Sequence, residues 1–230
     1  MNMMVSAVLA LGLIGCQTPQ EKPVKLETQK DKVSYSIGLS IGTNLKRDSI
    51  SLNHEVFLRG IVDAMGDTTH RLMTENEMRE CMTAFQDSMK TKAMETARAN
   101  AMKNQKDGEA FLAENARKPG VVTLPSGLQY LVITEGHGKK PAATSTVTTN
   151  YSGKLLDGTE FDSSYKRGQP ATFPVNGVIK GWTEALQLMP VGSKWQLFIP
   201  SSLAYGDNGA GNVIPPGATL IFEVELLGVK

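Results

Sequence analysis

Hydrophobic positions recur at helical spacing through the first half of this chain and alternate through much of the second. From Asp31 onward Val33, Ile37, Ile41 and Leu45 are spaced by four, which lays them along one helical face. Ser34, Gly38 and Gly42 run beside them at the same spacing. Glycine lowers helix propensity, so this small face is read as a close contact with another helix. A second helix is expected from about Asn53 to Met65, with Asn53 as N-cap and Val56, Phe57, Gly60, Ile61 and Ala64 on one face. Thr74 opens a third: Glu77 stands three residues on, the spacing of a capping box. Met78, Cys81, Met82, Phe85 and Met89 then form an apolar stripe that fades to Ala93, Ala97 and Ala101 among charged residues. Unbroken to about Lys118, this helix has on the order of 45 residues and spans roughly 65 Å; Gly108 is its weak point. It is expected to be buried at its apolar start and solvated later, as a stalk between two bodies.

After Pro119 the period changes to two. Strands are expected over Leu128 to Thr134, Thr146 to Leu155, Ser193 to Pro200 and Thr219 to Gly228, and Asp157-Gly158 is a hairpin signal. One short helix interrupts them, where Trp182, Ala185, Leu186 and Met189 recur at i, i+3, i+4 and i+7. The expected class is α+β: a C-terminal antiparallel sheet wrapped around one short helix, preceded by an all-α module and a long connecting helix. The helical module from Asp31 to Met89 is too narrowly striped to bury much core alone. Packing with a second copy, as a homodimer through the N-terminal helices, is the expected solution.

The first residues stand apart. Met3 to Gly15 is almost wholly apolar, too short for a membrane span and about right for a signal-peptide core. Leu13-Ile14-Gly15-Cys16 resembles the bacterial lipobox, which makes Cys16 the expected lipidation site and the cell envelope the expected compartment. No Lys or Arg precedes the apolar run, so the signal is atypical or the true start lies upstream. Residues 17–30 are polar and contain Pro19 and Pro23, which reads as a tether. The organisation expected is therefore a signal peptide (1–16), a tether (17–30), a helical dimerisation module (31–72), a connecting helix (73–118) and a β-rich domain (119–230). A net charge of +1 gives no case for nucleic acid. The three histidines, His54, His70 and His137, share no metal spacing with a cysteine, and neither a metal nor a cofactor is expected. Cys81, beside Met82 in the apolar stripe, is expected to be a small buried side chain.

Aromatic residues gather in turn-rich stretches: Phe161-Asp162 upstream of Trp182, and Tyr205 downstream. Loops that bring such rings together make the usual ligand cavity, apolar with a few polar groups. The blander readings are that Tyr151 and Phe222 fill the core, that Asp162 is a turn acid and that Arg167 is a solvated loop charge. Phe173 reads as core.

Five runs decide between these readings. Asn150-Tyr151-Ser152-Gly153, Leu156 to Ser164, Val178-Ile179-Lys180-Gly181-Trp182, Ala204-Tyr205-Gly206 and Ile214-Pro215-Pro216-Gly217-Ala218-Thr219-Leu220 together resemble the FK506-binding-protein family of peptidyl-prolyl isomerases, over roughly Leu124 to Lys230. The N-terminal half resembles the helical module and stalk of its macrophage-infectivity-potentiator type, including Gly108-Glu109-Ala110-Phe111-Leu112. The resemblance implies an isomerase of X-Pro bonds that helps envelope proteins fold, acting on proline-containing chains and open to macrolide inhibitors of the FK506 class. It implies that the substrate proline lies on Trp182, walled by Tyr151, Phe161, Val178, Ile179 and Phe222. The Ile179 N–H and the Tyr205 hydroxyl would hold substrate carbonyls, Asp162 would be the carboxylate near the amide, and Arg167 would orient it; Ile214 falls in a family run and is carried over as substrate-binding. Ala171 stands where relatives often carry an aromatic, so one wall is expected to be open. The loop Asp207 to Asn212 lacks bulky residues and is expected to be flexible. The rival functions are a non-catalytic chaperone and a surface binding module. The anchored protein is expected at the outer membrane, facing the periplasm.

Overall fold

The computed structural model describes residues 24–66 and 71–230. The apolar leader, Cys16, the first half of the tether and His70 lie outside the described residues. The chain divides into two compact units at Thr74/Glu75.

In the first unit, α1 (Gln29–Arg47) starts at Thr28, whose side chain and that of Asp31 cap each other's backbone N–H groups. It ends in a Schellman turn: the Ile50 N–H donates to the Leu45 carbonyl at 2.8 Å, with Ser49 left-handed at φ 55°. Helix α2 (His54–Met65) is capped by Asn53, which accepts from Glu55 and Val56, where the sequence puts the cap. Neither helix has a buried residue. Ile37, Val56 and Val62 are more than half exposed, and a Cβ on Gly38, Gly42 or Gly60 would meet open space. The small face read from the sequence therefore has no partner within the described unit.

The second unit opens with α3 (Glu75–Asn115), 41 residues long. Its buried residues are Ala101, Gly108 and Asn115, at the opposite end from the apolar stripe. Met78 and Met82 are about half exposed and Cys81 is exposed. This corrects two expectations, that the later turns of α3 are solvated and that Cys81 is a buried side chain within the chain; the stripe belongs to the surface expected to pack with a second copy. In its later turns α3 meets the sheet body through Ala101 and Gly108, which allow close approach, through the amide of Asn115, and through Phe111, whose ring lies 5.9 Å from that of Phe198. At its end, Asn115 Nδ2 donates to Gln129 Oε1, and Gln129 Nε2 donates to the Leu112 carbonyl, each at 2.9 Å. A side chain from the sheet thus satisfies a helix-end carbonyl.

Seven antiparallel strands follow: β1 (Val121–Thr123), β2 (Gln129–Thr134), β3 (Thr146–Leu155), β4 (Glu160–Ser163), β5 (Ala171–Pro174), β6 (Lys194–Ile199) and β7 (Leu220–Val229). Their order is β1-β2-β6-β7-β3-β4. β5 shares β3 with β4: residues 146–149 of β3 pair β5 and residues 152–154 pair β4. Inward residues alternate along the long strands, and in β6 Phe198 is buried as well, on the other face beside Phe111. Val147, Thr149 and Tyr151 of β3, Trp195, Leu197 and Ile199 of β6, and Leu220, Phe222, Val224 and Leu226 of β7 are all buried. Helix α5 (Lys180–Leu188) lies in the sheet's concavity with Trp182, Ala185 and Leu186 buried, and Met189 just beyond it. The α+β class is as the sequence reads. A single helical turn, α4 (Ser164–Arg167), is additional to the one short helix expected.

Candidate functional site: an aromatic cavity

Helix α5 enters the cavity by its first turn. Ile179 is its N-cap, and the Ile179 carbonyl accepts from Trp182 and Thr183 N–H at 2.9 and 3.0 Å. Thr183 Oγ1 donates to the Val175 carbonyl at 2.7 Å, fixing α5 to the 3-10 turn Val175–Gly177. Val178 and Ile179 are held between these two anchors. Gly181 allows the helix down onto the sheet, since a Cβ there would lie 2.5 Å from Ile199 Cγ2.

Trp182, 4% exposed, is the floor. Tyr151, Phe173 and Phe222 meet it edge-to-face at 5.2, 5.9 and 5.3 Å between centroids, the geometry favoured by ring quadrupoles. Its indole N–H has no acceptor among the described residues, so packing alone orients the ring. Phe161 stands against Phe222 at 5.4 Å. The resulting cavity is about 610 Å³ and is lined by Tyr151, Phe161, Asp162, Phe173, Gly177, Val178, Ile179, Trp182, Tyr205, Ala210, Val213, Ile214 and Phe222.

Asp162 lies on β4 opposite Gly153. The Tyr151 hydroxyl donates to Asp162 Oδ2 at 2.6 Å and accepts from Arg167 Nη2 at 2.6 Å, and Arg167 Nη1 pairs with Asp162 Oδ1. Arg167 is delivered by α4, which Ser163 caps and Gly168 ends at φ 72°. Ser164, wholly buried, accepts from the Tyr151 N–H at 2.8 Å and so locks α4 to β3. Burial acts to raise the Asp162 pKa, but the hydrogen bonds from Tyr151 and Arg167 and the guanidinium charge outweigh it and hold the carboxyl below its ordinary value. Burial, with the bond to Asp162, pushes the Tyr151 hydroxyl up. At neutral pH Asp162 is a carboxylate and Tyr151 a neutral phenol.

Nine of the eleven residues singled out from the sequence line this cavity. The exceptions are Arg167 and Ala171. Arg167 reaches it through Asp162 and Tyr151. Ala171 pairs with Thr149 and packs on the core; it shares a face of β5 with Phe173, but only the larger side chain reaches the cavity. Phe173, read as core, is a wall. Gly177, Ala210 and Val213 were not singled out, and neither was Gly153, where a Cβ would lie 2.6 Å from Phe222 and 2.7 Å from Phe161. A glycine inside a strand is the signal that marks such a close approach.

An apolar aromatic cavity whose ionisable lining groups are one ion-paired carboxylate and two phenols is the kind of site that takes an apolar ligand and orients it by a few polar groups. The family model described as FKBP-type peptidyl-prolyl cis-trans isomerase matches residues 137–227. The model for the domain amino-terminal to it matches residues 30–132. The chain is 44% identical to the outer membrane protein MIP of Legionella longbeachae, covering all of this chain and 98% of that one. It is 43% identical to the peptidyl-prolyl cis-trans isomerase Mip of Coxiella burnetii, over all of this chain and 99% of the relative. The crystal structure of FkpA from Escherichia coli superposes with a TM-score of 0.75 at 36% identity, covering 90% of this chain and 99% of that one. The chain belongs to the FKBP-type peptidyl-prolyl cis-trans isomerase family.

Proposed function

We propose that the aromatic cavity is where the X-Pro bond turns, and that it works by favouring the twisted amide over the planar one. One observation carries this reading: besides the buried Trp182 indole, two donors with no acceptor among the described residues, the Ile179 N–H and the Tyr205 hydroxyl, belong to residues that line a largely apolar cavity. The barrier to rotation is about 18–20 kcal/mol because rotation breaks amide resonance. The twisted amide is less charge-separated than the planar one, so it loses less on leaving water. About 4–5 kcal/mol of preferential binding gives a rate gain in the thousands. The substrate proline rests on Trp182 between Tyr151, Phe161, Val178 and Phe222. Ile179 and Tyr205 hold carbonyls on either side of the bond, and Ile214 covers the rim. Asp162, held ionised by Arg167, faces the rotating amide as a fixed charge and takes no proton. Macrolides of the FK506 class compete for the same space.

The substrates are folding proteins of the bacterial envelope, whose X-Pro steps are slow. The anchor is lipid on Cys16, and the outer membrane, facing the periplasm, is the location; the MIP relative is named an outer membrane protein, which supports the choice of membrane. The working unit is a homodimer formed by the N-terminal helices. Its support is the exposed apolar surface of α1 and α2 and an unfilled groove of about 560 Å³ lined by Gly38, Ile41, Gly42, Leu45 and Phe57, among others. The same exposed surface also favours a second reading, in which the helices hold unfolded clients as a chaperone or binding module and the cavity matters little.

Tyr205→Phe and Trp182→Ala proteins, compared in a proline-limited refolding assay and in an aggregation assay, separate these readings. The expected result is loss of refolding catalysis with aggregation suppression kept. Undiminished isomerisation in both variants would overturn the assignment of the cavity.

A further inference from the structure

The loop from Tyr205 to Thr219 contributes no strand to the seven-stranded sheet, yet it carries one rim of the cavity through Tyr205, Ala210, Val213 and Ile214. Its other side lies on α3. Asn104 Nδ2 donates to the Pro216 carbonyl at 2.8 Å, and Gln105 Nε2 donates to Asp207 Oδ1 at 2.5 Å. Gly217 comes so close to the helix that a Cβ there would stand 2.3 Å from the Ala101 carbonyl oxygen. One turn pair further along, a Cβ on Gly108 would stand 2.2 Å from Thr219 Oγ1. The two sides of the loop are joined internally. The Gly217 N–H donates to the Gly206 carbonyl at 2.9 Å, and Ala210 and Ile214 exchange backbone hydrogen bonds at 2.9 and 3.1 Å. The loop expected to be flexible is braced from behind.

We propose that Asn104 and Gln105 are positioning residues of the isomerase. They touch no substrate. They hold the loop on α3, and the loop sets where Tyr205 and Ile214 stand. The inference rests on the cavity being the active site. A loop that lacks strand pairing has many alternative conformations to lose, so the brace decides what fraction of molecules presents the rim in its binding position. Apparent affinity scales with that fraction, whereas a bound substrate restores the rim. Loosening the brace therefore raises KM and leaves kcat in place.

The test uses the full chain and short X-Pro peptides of varied X. Asn104→Ala/Gln105→Ala is expected to raise KM by roughly threefold or more with kcat held, and to speed amide exchange at Ala210 and Ile214. Gln105→Lys keeps a donor toward Asp207 and should retain the original KM. Gln105→Glu sets carboxylate against carboxylate and should raise it. A double variant with unchanged KM and unchanged exchange overturns the brace, and so does one that melts earlier with unchanged KM, since the contact is then only structural. If Trp182→Ala leaves isomerisation intact, the cavity reading fails instead; if Trp182→Ala abolishes it while the double variant keeps its KM, only the brace fails.

Discussion

Asp162, Tyr151 and Arg167 form the one charged corner of an apolar site, and their mutual bonds fix its protonation. The folded Asp162 pKa lies below its ordinary value. Its contribution to stability is therefore present above the unfolded pKa of about 3.9 and is lost as pH falls through the lower folded value. Arg167→Met removes the guanidinium. The folded Asp162 pKa then rises toward the unfolded one, so the stability lost between neutral and acid pH should be smaller, which melting curves of the two proteins would reveal; an equal loss would contradict the assignment. Gly153 makes a sharper case. Its missing side chain is what lets Phe161 and Phe222 meet, so Gly153→Ala should cost about 1–3 kcal/mol by overpacking and lower kcat/KM about tenfold by displacing a wall. Urea unfolding and a peptide assay give the two numbers. At this scale the large aromatics were legible because their types and spacing stand out. Gly153, Ser164 and Gly177 were not, because their part is to leave room or to tie backbone. Phe173 was assigned to the core because a wall that packs on the core on one side and faces the cavity on the other has the same sequence pattern as a core residue.

Among the elements, β3, β6 and β7 were legible because each alternates long enough to fix its inward face. β1 and β5 were not: three and four residues are too few to display a period, and β5 ends in Pro174. α5 was legible from its spacing, and α2 from both spacing and cap. α3 was legible as a helix, but the burial within its later turns was not. Small and polar residues do not by themselves mark burial, and the contact with the sheet body runs through Ala101, Gly108 and Asn115 as well as Phe111. Gly217 marks that contact from the other side. It combines φ 72° with a would-be clash against the backbone of Ala101, and backbone cannot yield as a side-chain tip can. Gly217→Ala should destabilise the second unit by roughly 2–4 kcal/mol, measured as a lower urea midpoint with unchanged slope. An unaltered midpoint would mean that the loop is not held on the helix.

For the whole molecule, the distribution of exposed apolar surface is the main clue. Val56 at 63% and Met65 at 86% exposure belong to helices that have no buried residue, and small domains without a core depend on a partner. Sedimentation of the fragment ending near Lys118 should show a dimer, and a folded monomer at about micromolar concentration would exclude this interface. The catalytic account is of a different kind: a rotation in a dry aromatic cavity, with Asp162 already ionised and Tyr151 kept protonated. It is tested most directly by kcat/KM on a short X-Pro peptide, followed from about pH 5 to 9 in ordinary and heavy water. The expected profile is flat, and the two solvents should give the same rate. A bell-shaped profile, or a rate in heavy water lower by about twofold or more, would show a proton moving in the transition state and contradict the account.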